Sequence, residues 1–141
     1  MLLGEYYHSL DVKGRLNLPS KFRGDFGETV VITKSSGEKK CLWVFSMQEW
    51  EAFTDKIKQL KISYSSDIVR YFLTGASEAS IDKQGRIMIP QNLREFAGLD
   101  KEVVVAGVLT KAEIWNKEKY IEATSSLTGE KIEEAMRQLD L

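Results

Sequence analysis

The sequence predicts an α+β fold built from two copies of one structural unit. The segment at 11–19, DVKGRLNLP, returns seventy-one residues later at 82–90 as DKQGRIMIP, so that aspartate, glycine, arginine and proline recur in one register. The chain contains two prolines, and both lie in these segments. Strand patterns and helix patterns then follow each segment in the same order. Chance does not easily produce this agreement, so we interpret the chain as an internal duplication.

Each unit is predicted to begin with two short strands joined by a tight turn. An extended run, 6–10 in the first copy, precedes the aspartate, and an alternating apolar run, 16–18, follows the arginine. Two such runs separated by a few residues that include glycine are typical of a β-hairpin. Aspartate can accept backbone N–H bonds at a turn, and glycine can take the positive φ that a tight turn requires. The predicted turn-forming residues are Asp11, Gly14, Asp82 and Gly85.

Both segments end in proline, which favours the first position of a helix because its missing N–H would have no partner there. Pro19 and Pro90 are therefore predicted to open short helices, which Gly27 and Gly98 would end. Buried strands are then predicted at matching places, from runs of apolar residues. These strands cover 29–33 and 41–45 in the first copy, and 102–106 and 112–115 in the second.

Longer helices are predicted to follow these strands. Ser46 opens a capping-box pattern with Glu49, and Asn116 holds the place of Ser46 in the second copy. The apolar stripe that follows Ser46 has the helical period, and we expect it to pack on the core, although a partner surface would show the same pattern. Further helices are predicted at 66–74 and 129–139. The residues of the stripe are Met47, Trp50, Phe53, Ile57 and Leu60.

The two copies are predicted to form one compact body. A half of this size buries too little surface to be stable alone. We therefore expect a first module at 1–60, a connecting helical segment at 61–78 and a second module at 79–141. The hairpins should interleave about a pseudo-twofold axis, which would bring both arginine-bearing turns close together. The predicted core is β-barrel-like, with the helices at its periphery.

Composition favours a soluble cytoplasmic protein. The longest apolar run, 103–109, is about a third of the roughly 20 residues that a membrane span needs, so no membrane partner is expected. The N-terminus has no basic region before Glu5, and we expect no signal peptide. Cys41 is the one cysteine of the chain, so no internal disulfide can form, which suits a reducing compartment.

Enzyme and metal chemistry are poorly supported by the sequence. His8 is the one histidine, and no spacing of a metal site or a phosphate loop is present, so no metal, cofactor or small-molecule ligand is predicted. Asp11 and Asp82 could share a proton as in aspartic proteases. The small hydroxyl residue and glycine that those sites need do not follow them, and an arginine four residues on would hold each one ionised. We therefore expect no enzyme.

Positive charge is concentrated on the repeated segments, although the whole chain has a net charge of −1. Four cations and no acid lie at 12–24, and three cations and no acid at 83–94. The residues alone leave two interpretations of the arginines open. Arg15 and Arg86 could pair with the aspartates and close the turns. They could also face DNA, since a two-stranded ribbon fits the major groove and arginine commonly reads guanine.

The order of the motif resembles that of known DNA-binding proteins. The motif resembles that of the swapped-hairpin transcription factors of the AbrB type and is clearest at 81–94. It consists of Val/Ile-Asp, two residues, Gly-Arg, an apolar strand, Pro and Leu-Arg. Two such modules, with an N-terminus of the form MLLGEYYHSLD, resemble the MraZ family along the entire chain. The resemblance implies two tandem AbrB-like (SpoVT–AbrB) modules. The first copy departs mildly from the family pattern, since it has Leu-Asn-Leu where a β-branched strand is usual and Phe22 in place of leucine.

The resemblance also implies a function. It implies a bacterial DNA-binding transcriptional regulator, most simply a repressor, at the promoter of a division and cell-wall gene cluster that includes its own gene. The implied DNA partner is double-stranded DNA with short G-rich direct repeats. The other implied partner is the protein itself, in a homo-oligomeric ring such as an octamer. It implies association with the nucleoid. The alternative is a symmetric protein-binding assembly module without sequence-specific DNA binding.

The motif and the charge pattern together predict the DNA-binding residues. Arg15 and Arg86 are expected to approach the bases from the turns. The residues expected to neutralise phosphates are Lys13, Lys21, Arg23, Lys83 and Arg94.

Overall fold

The computed structural model describes residues 1–140, which contain eight strands and six α-helices, and the predicted α+β class is confirmed. Leu141, the last residue of the predicted second module, lies outside the described residues. The strands are β1 (Leu2–Ser9), β2 (Arg15–Asn17), β3 (Thr29–Lys34), β4 (Leu42–Ser46), β5 (Ser77–Ser80), β6 (Arg86–Met88), β7 (Glu102–Leu109) and β8 (Ala112–Asn116). The helices are α1 (Arg23–Phe26), α2 (Met47–Ile57), α3 (Ile62–Thr74), α4 (Gln91–Ala97), α5 (Lys117–Ser125) and α6 (Gly129–Met136). Single 3-10 turns cover Ser20–Phe22 and Arg137–Leu139.

The strands form two antiparallel sheets. Six of them make one sheet in the order β1–β7–β8–β4–β3–β5, and β2 pairs with β6 in a two-stranded sheet that we call the ribbon. The predicted β-barrel-like core is wrong, because β1 and β5 are the two edges of the larger sheet and do not pair with each other. The ribbon covers the core instead. Its inward residues Leu16 and Ile87 are buried in one cluster with residues of the larger sheet such as Ile32.

Most of the strand pairing joins one copy to the other. β1 of the first copy pairs with β7 of the second, from Leu2 opposite Leu109 to Ser9 opposite Glu102. β5 of the second copy pairs with β3 of the first in the equivalent way. The predicted local hairpin is therefore wrong, since β1 and β2 lead into and out of one turn but belong to different sheets. Pairing across the copies buries the apolar faces of both units together, which neither small unit could do alone.

Aromatic side chains hold the helices of the first copy against the sheet. Trp43 of β4 stacks on Phe72 of α3 with ring centroids 5.7 Å apart. Phe53 of α2 stacks on Phe45 of β4 with centroids 5.1 Å apart. The hydroxyl of Thr33 donates to the backbone carbonyl of Phe72 at 3.0 Å, inside the core. These contacts pack α2 and the connecting helix α3 on the sheet.

The predicted helix starts are confirmed at the two caps. The side chain of Ser46 accepts a hydrogen bond from the amide of Glu49, and that of Asn116 from the amide of Lys119, both at 3.1 Å. α3 begins at Ile62, four residues before its predicted start. Among the described residues, no helix has the length and apolar content that crossing a membrane requires.

The apolar stripe of α2 packs on the core along only part of its length. Ile57 is buried, and Trp50 and Phe53 are half-buried, as predicted. Met47 and Leu60 are exposed. Met47 is the first residue of α2, and Leu60 lies beyond its end, so neither is held over the sheet.

Candidate nucleic-acid interface

The first repeated turn is organised by Asp11. One carboxylate oxygen accepts hydrogen bonds from the amides of Lys13 at 2.9 Å and Arg15 at 2.8 Å. The other accepts from Nε of Arg15 at 2.7 Å. Gly14 supplies the positive φ of the turn, +84°, and its amide donates to the carbonyl of Asp11 at 3.0 Å. The turn is thus closed by the aspartate, and the same aspartate aims the arginine.

The second turn repeats this arrangement. Asp82 accepts from the amides of Gln84 and Arg86, and from Nε of Arg86, each at 2.9 Å. Gly85 has a φ of +81°. Two sequences that differ at both tip positions therefore build the same local structure around a shared aspartate, glycine and arginine.

Both carboxyl groups are held ionised. Hydrogen bonds from the backbone amides of Arg15 and Arg86 are the main cause that lowers the pKa of Asp11 and Asp82 respectively, and the arginine side chains add to it. A proton shared between two aspartates would need the pKa of one of them raised. The pKa of both aspartates is lowered instead, so these residues do not resemble the catalytic pair of an aspartic protease.

The ribbon joins the two turns. The amide of Leu18 donates to the carbonyl of Gly85, and the amide of Ile89 to the carbonyl of Gly14, both at 2.9 Å. Arg15 lies opposite Met88 and Asn17 opposite Arg86, which makes the two arginines diagonal neighbours, roughly 7–8 Å apart at their Cα atoms. The arginines of the two turns are close together, as predicted, and the turns themselves lie at opposite ends of the short ribbon.

The arginine side chains keep part of their hydrogen-bonding capacity free. The side chains of Arg15 and Arg86 are 31% and 26% exposed, and each uses Nε to bind its aspartate. Within residues 1–140, neither Nη nitrogen of either arginine has a hydrogen-bond partner. A guanidinium fixed through Nε presents its two Nη groups as a fork, which suits a pair of acceptors such as those of guanine. Both interpretations of the arginines can therefore hold at once.

The predicted phosphate-binding lysines lie at the surface. Lys13 and Lys83 are exposed at the tips of the two turns, and Lys21 is exposed in the 3-10 turn that follows the ribbon. Among residues 1–140, none of these lysines forms a salt bridge, so their charges remain available at the two turns and just beyond the ribbon.

Arg23 and Arg94 have a second use that the sequence does not reveal. Arg23 donates to the carbonyl of Leu18 at 3.5 Å and, across the copies, to the carbonyl of Gln84 at 3.4 Å. Arg94 donates through Nε to the carbonyl of Ile89 at 3.0 Å. Each guanidinium also covers the turn glycine of the other copy.

The guanidinium groups of these arginines lie where a side chain on either turn glycine would begin. A Cβ on Gly14 would lie 2.8 Å from Cζ of Arg94, and one on Gly85 would collide with the guanidinium of Arg23. Each copy therefore contributes an arginine that holds the turn of the other copy.

Sequence reasoning missed two exposed residues on the ribbon. Side chains alternate across a strand, so Asn17 and Met88 share the outer face with Arg15 and Arg86. Asn17 is exposed, and Met88 is 48% exposed. The alternation of Leu16-Asn-Leu18 would have identified Asn17 as outward-facing, but it does not show that the same face carries both arginines.

A metal cluster and a reactive thiol are both absent from the described part of the chain. Among residues 1–140, no three His, Cys, Asp or Glu side chains lie together in a way that could hold a metal ion. Burial raises the pKa of Cys41 to about 12, which makes its thiol unreactive at neutral pH.

Comparison with known proteins identifies relatives along the whole chain. The family model described as "MraZ protein, putative antitoxin-like" matches residues 1–67 and 72–140. A protein named "Transcriptional regulator MraZ" from Caldicellulosiruptor saccharolyticus is 47% identical over 146 residues, which cover 100% of both chains. A protein of the same name from Thermoanaerobacter pseudethanolicus is 46% identical over 142 residues, 99% of this chain and 97% of that one.

Similarity to one solved structure is weak. The solution structure of PHS018 from Pyrococcus horikoshii superimposes with a TM-score of 0.36 and 17% sequence identity, over 81% of this chain and 88% of that chain. This similarity is too low to define a shared fold.

Proposed function

This chain belongs to the MraZ family, and the two relatives described above are named transcriptional regulators; we propose that it is a sequence-specific DNA-binding repressor. It would act in the cytoplasm, associated with the nucleoid, at the promoter of a division and cell-wall gene cluster that includes its own gene. Its sites there would be short direct repeats. The observation that carries the proposal is the pair of arginine forks on one face of the ribbon.

The proposed mechanism is occupancy of the promoter. A two-stranded ribbon fits the major groove, which is about 12 Å wide, and Arg15 and Arg86 would each bind O6 and N7 of a guanine. Lys13, Lys21 and Lys83 would neutralise phosphates on either side. Asp11 and Asp82 hold the guanidinium groups in place before DNA arrives, so little side-chain freedom is lost on binding. RNA polymerase would then be excluded from the occupied promoter.

We propose that the chain consists of two tandem swapped-hairpin modules of the AbrB type, at 1–60 and 79–141, with a connecting segment at 61–78. The pairing of β1 with β7 and of β3 with β5 supports exchange of strands between the modules. The exchange links both turns, and with them Arg15 and Arg86, to one core.

We propose further that the protein acts as a homo-oligomeric ring. All residues of α6 are exposed, including Ile132 and Met136 on its apolar side, and a neighbouring subunit could cover them. One protomer offers few contacts and would bind weakly. A ring that presents several ribbons to spaced repeats gains effective concentration, which can raise avidity roughly 100- to 10,000-fold.

We expect the purified protein to retain a duplex from its own upstream region in a large excess of random duplex. Affinity should also fall steeply as salt rises, because each phosphate contact releases counterions. Anisotropy titrations with competitor, at several salt concentrations, measure both effects. An assembly module that binds proteins only would show no preference for the upstream duplex, and that outcome would favour the alternative function.

Replacing Arg23 and Arg94 with alanine is expected to weaken DNA binding without changing its salt dependence. We propose that these arginines act chiefly by holding the turns, since both donate to ribbon carbonyls. The matched control is the Lys13→Ala/Lys83→Ala variant, which should reduce the salt slope by about 1 for each lysine. A slope reduced by about 2 in the arginine variant would instead show that Arg23 and Arg94 contact phosphates directly.

A further inference from the structure

We propose that Asn17 and Met88 determine the direction in which the ribbon lies on its DNA site. The inference rests on the proposed function, since it requires the outer face of the ribbon to contact bases. It adds a specificity role for two residues outside the repeated Asp-x-x-x-Arg positions.

The outer face of the ribbon is nearly symmetric. It carries four side chains, in two cross-strand pairs: Arg15 opposite Met88, and Asn17 opposite Arg86. The pseudo-twofold relation that exchanges the copies places Arg15 on Arg86 and Asn17 on Met88. The two arginines are therefore unchanged by the exchange, whereas an amide and a thioether trade places.

These two side chains read different bases. The amide of asparagine has a donor and an acceptor, which match N7 and N6 of adenine in the major groove. The thioether of methionine is almost apolar and suits contact with the methyl group of thymine. A ribbon with Asn17 at one end and Met88 at the other thus distinguishes a site from the same site turned around.

Differences elsewhere between the copies bear less on the bases. Each turn tip carries one lysine, so the tips have equal charge, although Lys13 corresponds to Gln84 and Lys83 to Val12. Lys21 has Asn92 as its counterpart, which adds one phosphate contact on one side without reading sequence. Among the four outward ribbon positions, the asymmetry lies at Asn17 and Met88 alone.

The consequence is a site with polarity. A perfectly twofold ribbon would prefer an inverted repeat, because it would present the same groups to both halves of the site. An asymmetric ribbon prefers a non-palindromic site and binds it in one direction. Copies of such a site would then have to be arranged in one direction to be bound alike by identical subunits.

The test uses a single binding site and a cleavage reagent attached to one end of the ribbon. Gln84→Cys places an exposed thiol at the second turn, whereas the native Cys41 is buried and would not be labelled. An iron chelate on that thiol cuts the DNA near the second turn. When Gln84→Cys is the only change, the chelate should cut the DNA at one end of the site.

The informative variant exchanges the two residues, Asn17→Met with Met88→Asn. Both positions are exposed, so the swap should unfold at the same temperature as the parent. We expect the cut to move to the opposite end of the site, with the preference between the two directions on the order of 10- to 100-fold in affinity. Asn17→Met alone makes the outer face symmetric and should produce cuts at both ends.

The outcomes separate this inference from the proposed function. A swap that cuts at the original end, or that folds but loses specific binding, would overturn the role of Asn17 and Met88 while leaving the regulator intact. If the parent itself shows no specific binding to its upstream duplex, the proposed function fails first.

Discussion

Replacing Arg15 and Arg86 together with alanine is expected to lower the affinity for specific DNA at least about 30-fold while leaving the fold intact. Each good bidentate contact to guanine contributes roughly 1–3 kcal/mol of discrimination, and two are lost. Asp11 and Asp82 would also lose their cationic partners, so that two bare carboxylates would face the DNA. The backbone hydrogen bonds of both aspartates do not involve the deleted groups and should preserve the turns.

The control for this variant removes the same charge elsewhere. Arg70 is paired with Asp67 on α3, and Lys58 is paired with Asp55 at the end of α2, and both pairs are exposed. The Arg70→Ala/Lys58→Ala protein loses two positive charges outside the ribbon and should bind DNA almost as the parent does. Equal loss of affinity in both double variants would mean that net charge, not the ribbon, governs binding.

Lysine substitution separates specificity from charge at the same positions. Arg15→Lys/Arg86→Lys keeps both positive charges but lacks the planar fork. The salt dependence should stay the same, while the preference for the upstream duplex over random duplex should fall strongly. A lysine variant that retains full sequence preference would contradict guanine reading by these two residues.

The chemistry of the turns was predictable from the sequence because it is local. Asp11 and Arg15 are four residues apart with Gly14 between them, and most of the hydrogen bonds that close the turn join these residues. The partners of the strands were not predictable in the same way. A period of two assigns Leu16 to the core whichever strand lies beside it, and two similar copies can satisfy that pattern by pairing locally or with each other.

Other features depend on contacts between distant segments. In the sequence Arg23 resembles any free surface cation, and only the fold brings it to Gln84 and Gly85. The barrel-like expectation failed for a related reason, since strand patterns do not reveal whether the outermost strands meet. The helical spacing of the apolar residues correctly predicted a helix at α6. The sequence does not show, however, that this helix remains exposed in a single protomer.

The pairing between the copies depends on a close approach of two backbones at Gly107. Gly107 of β7 lies opposite Gly4 of β1. A Cβ at position 107 would lie 2.7 Å from the carbonyl carbon of Leu2 and 2.8 Å from Cα of Leu3. These are backbone atoms, which cannot rotate away as a side chain could, so β1 itself would have to move.

Gly107→Ala is therefore expected to destabilise the protein although it adds a single methyl group. Overpacking of this kind typically costs about 1–3 kcal/mol, which lowers the melting temperature by roughly 2–4 °C for each kcal/mol in a chain of this size. Gly24→Ala is the matched control, because a Cβ there meets no atom within 4 Å in helix α1. The control should be neutral or slightly stabilising, since alanine reduces the freedom of the unfolded chain. Denaturant unfolding followed by tryptophan fluorescence measures both variants.

The effect of Gly107→Ala should extend to DNA binding, because β1 leads directly into the turn of Asp11. Displacement of β1 would loosen the bond from the amide of Leu10 to the carbonyl of Lys101, 2.8 Å long, which ties the start of that turn to the second copy. Affinity for the upstream duplex should then fall even at temperatures where the variant is fully folded, whereas Gly24→Ala should bind normally. Equal stability and equal affinity in the two variants would show that β1 does not approach β7 this closely in solution, and the exchange of strands would lose its strongest structural support.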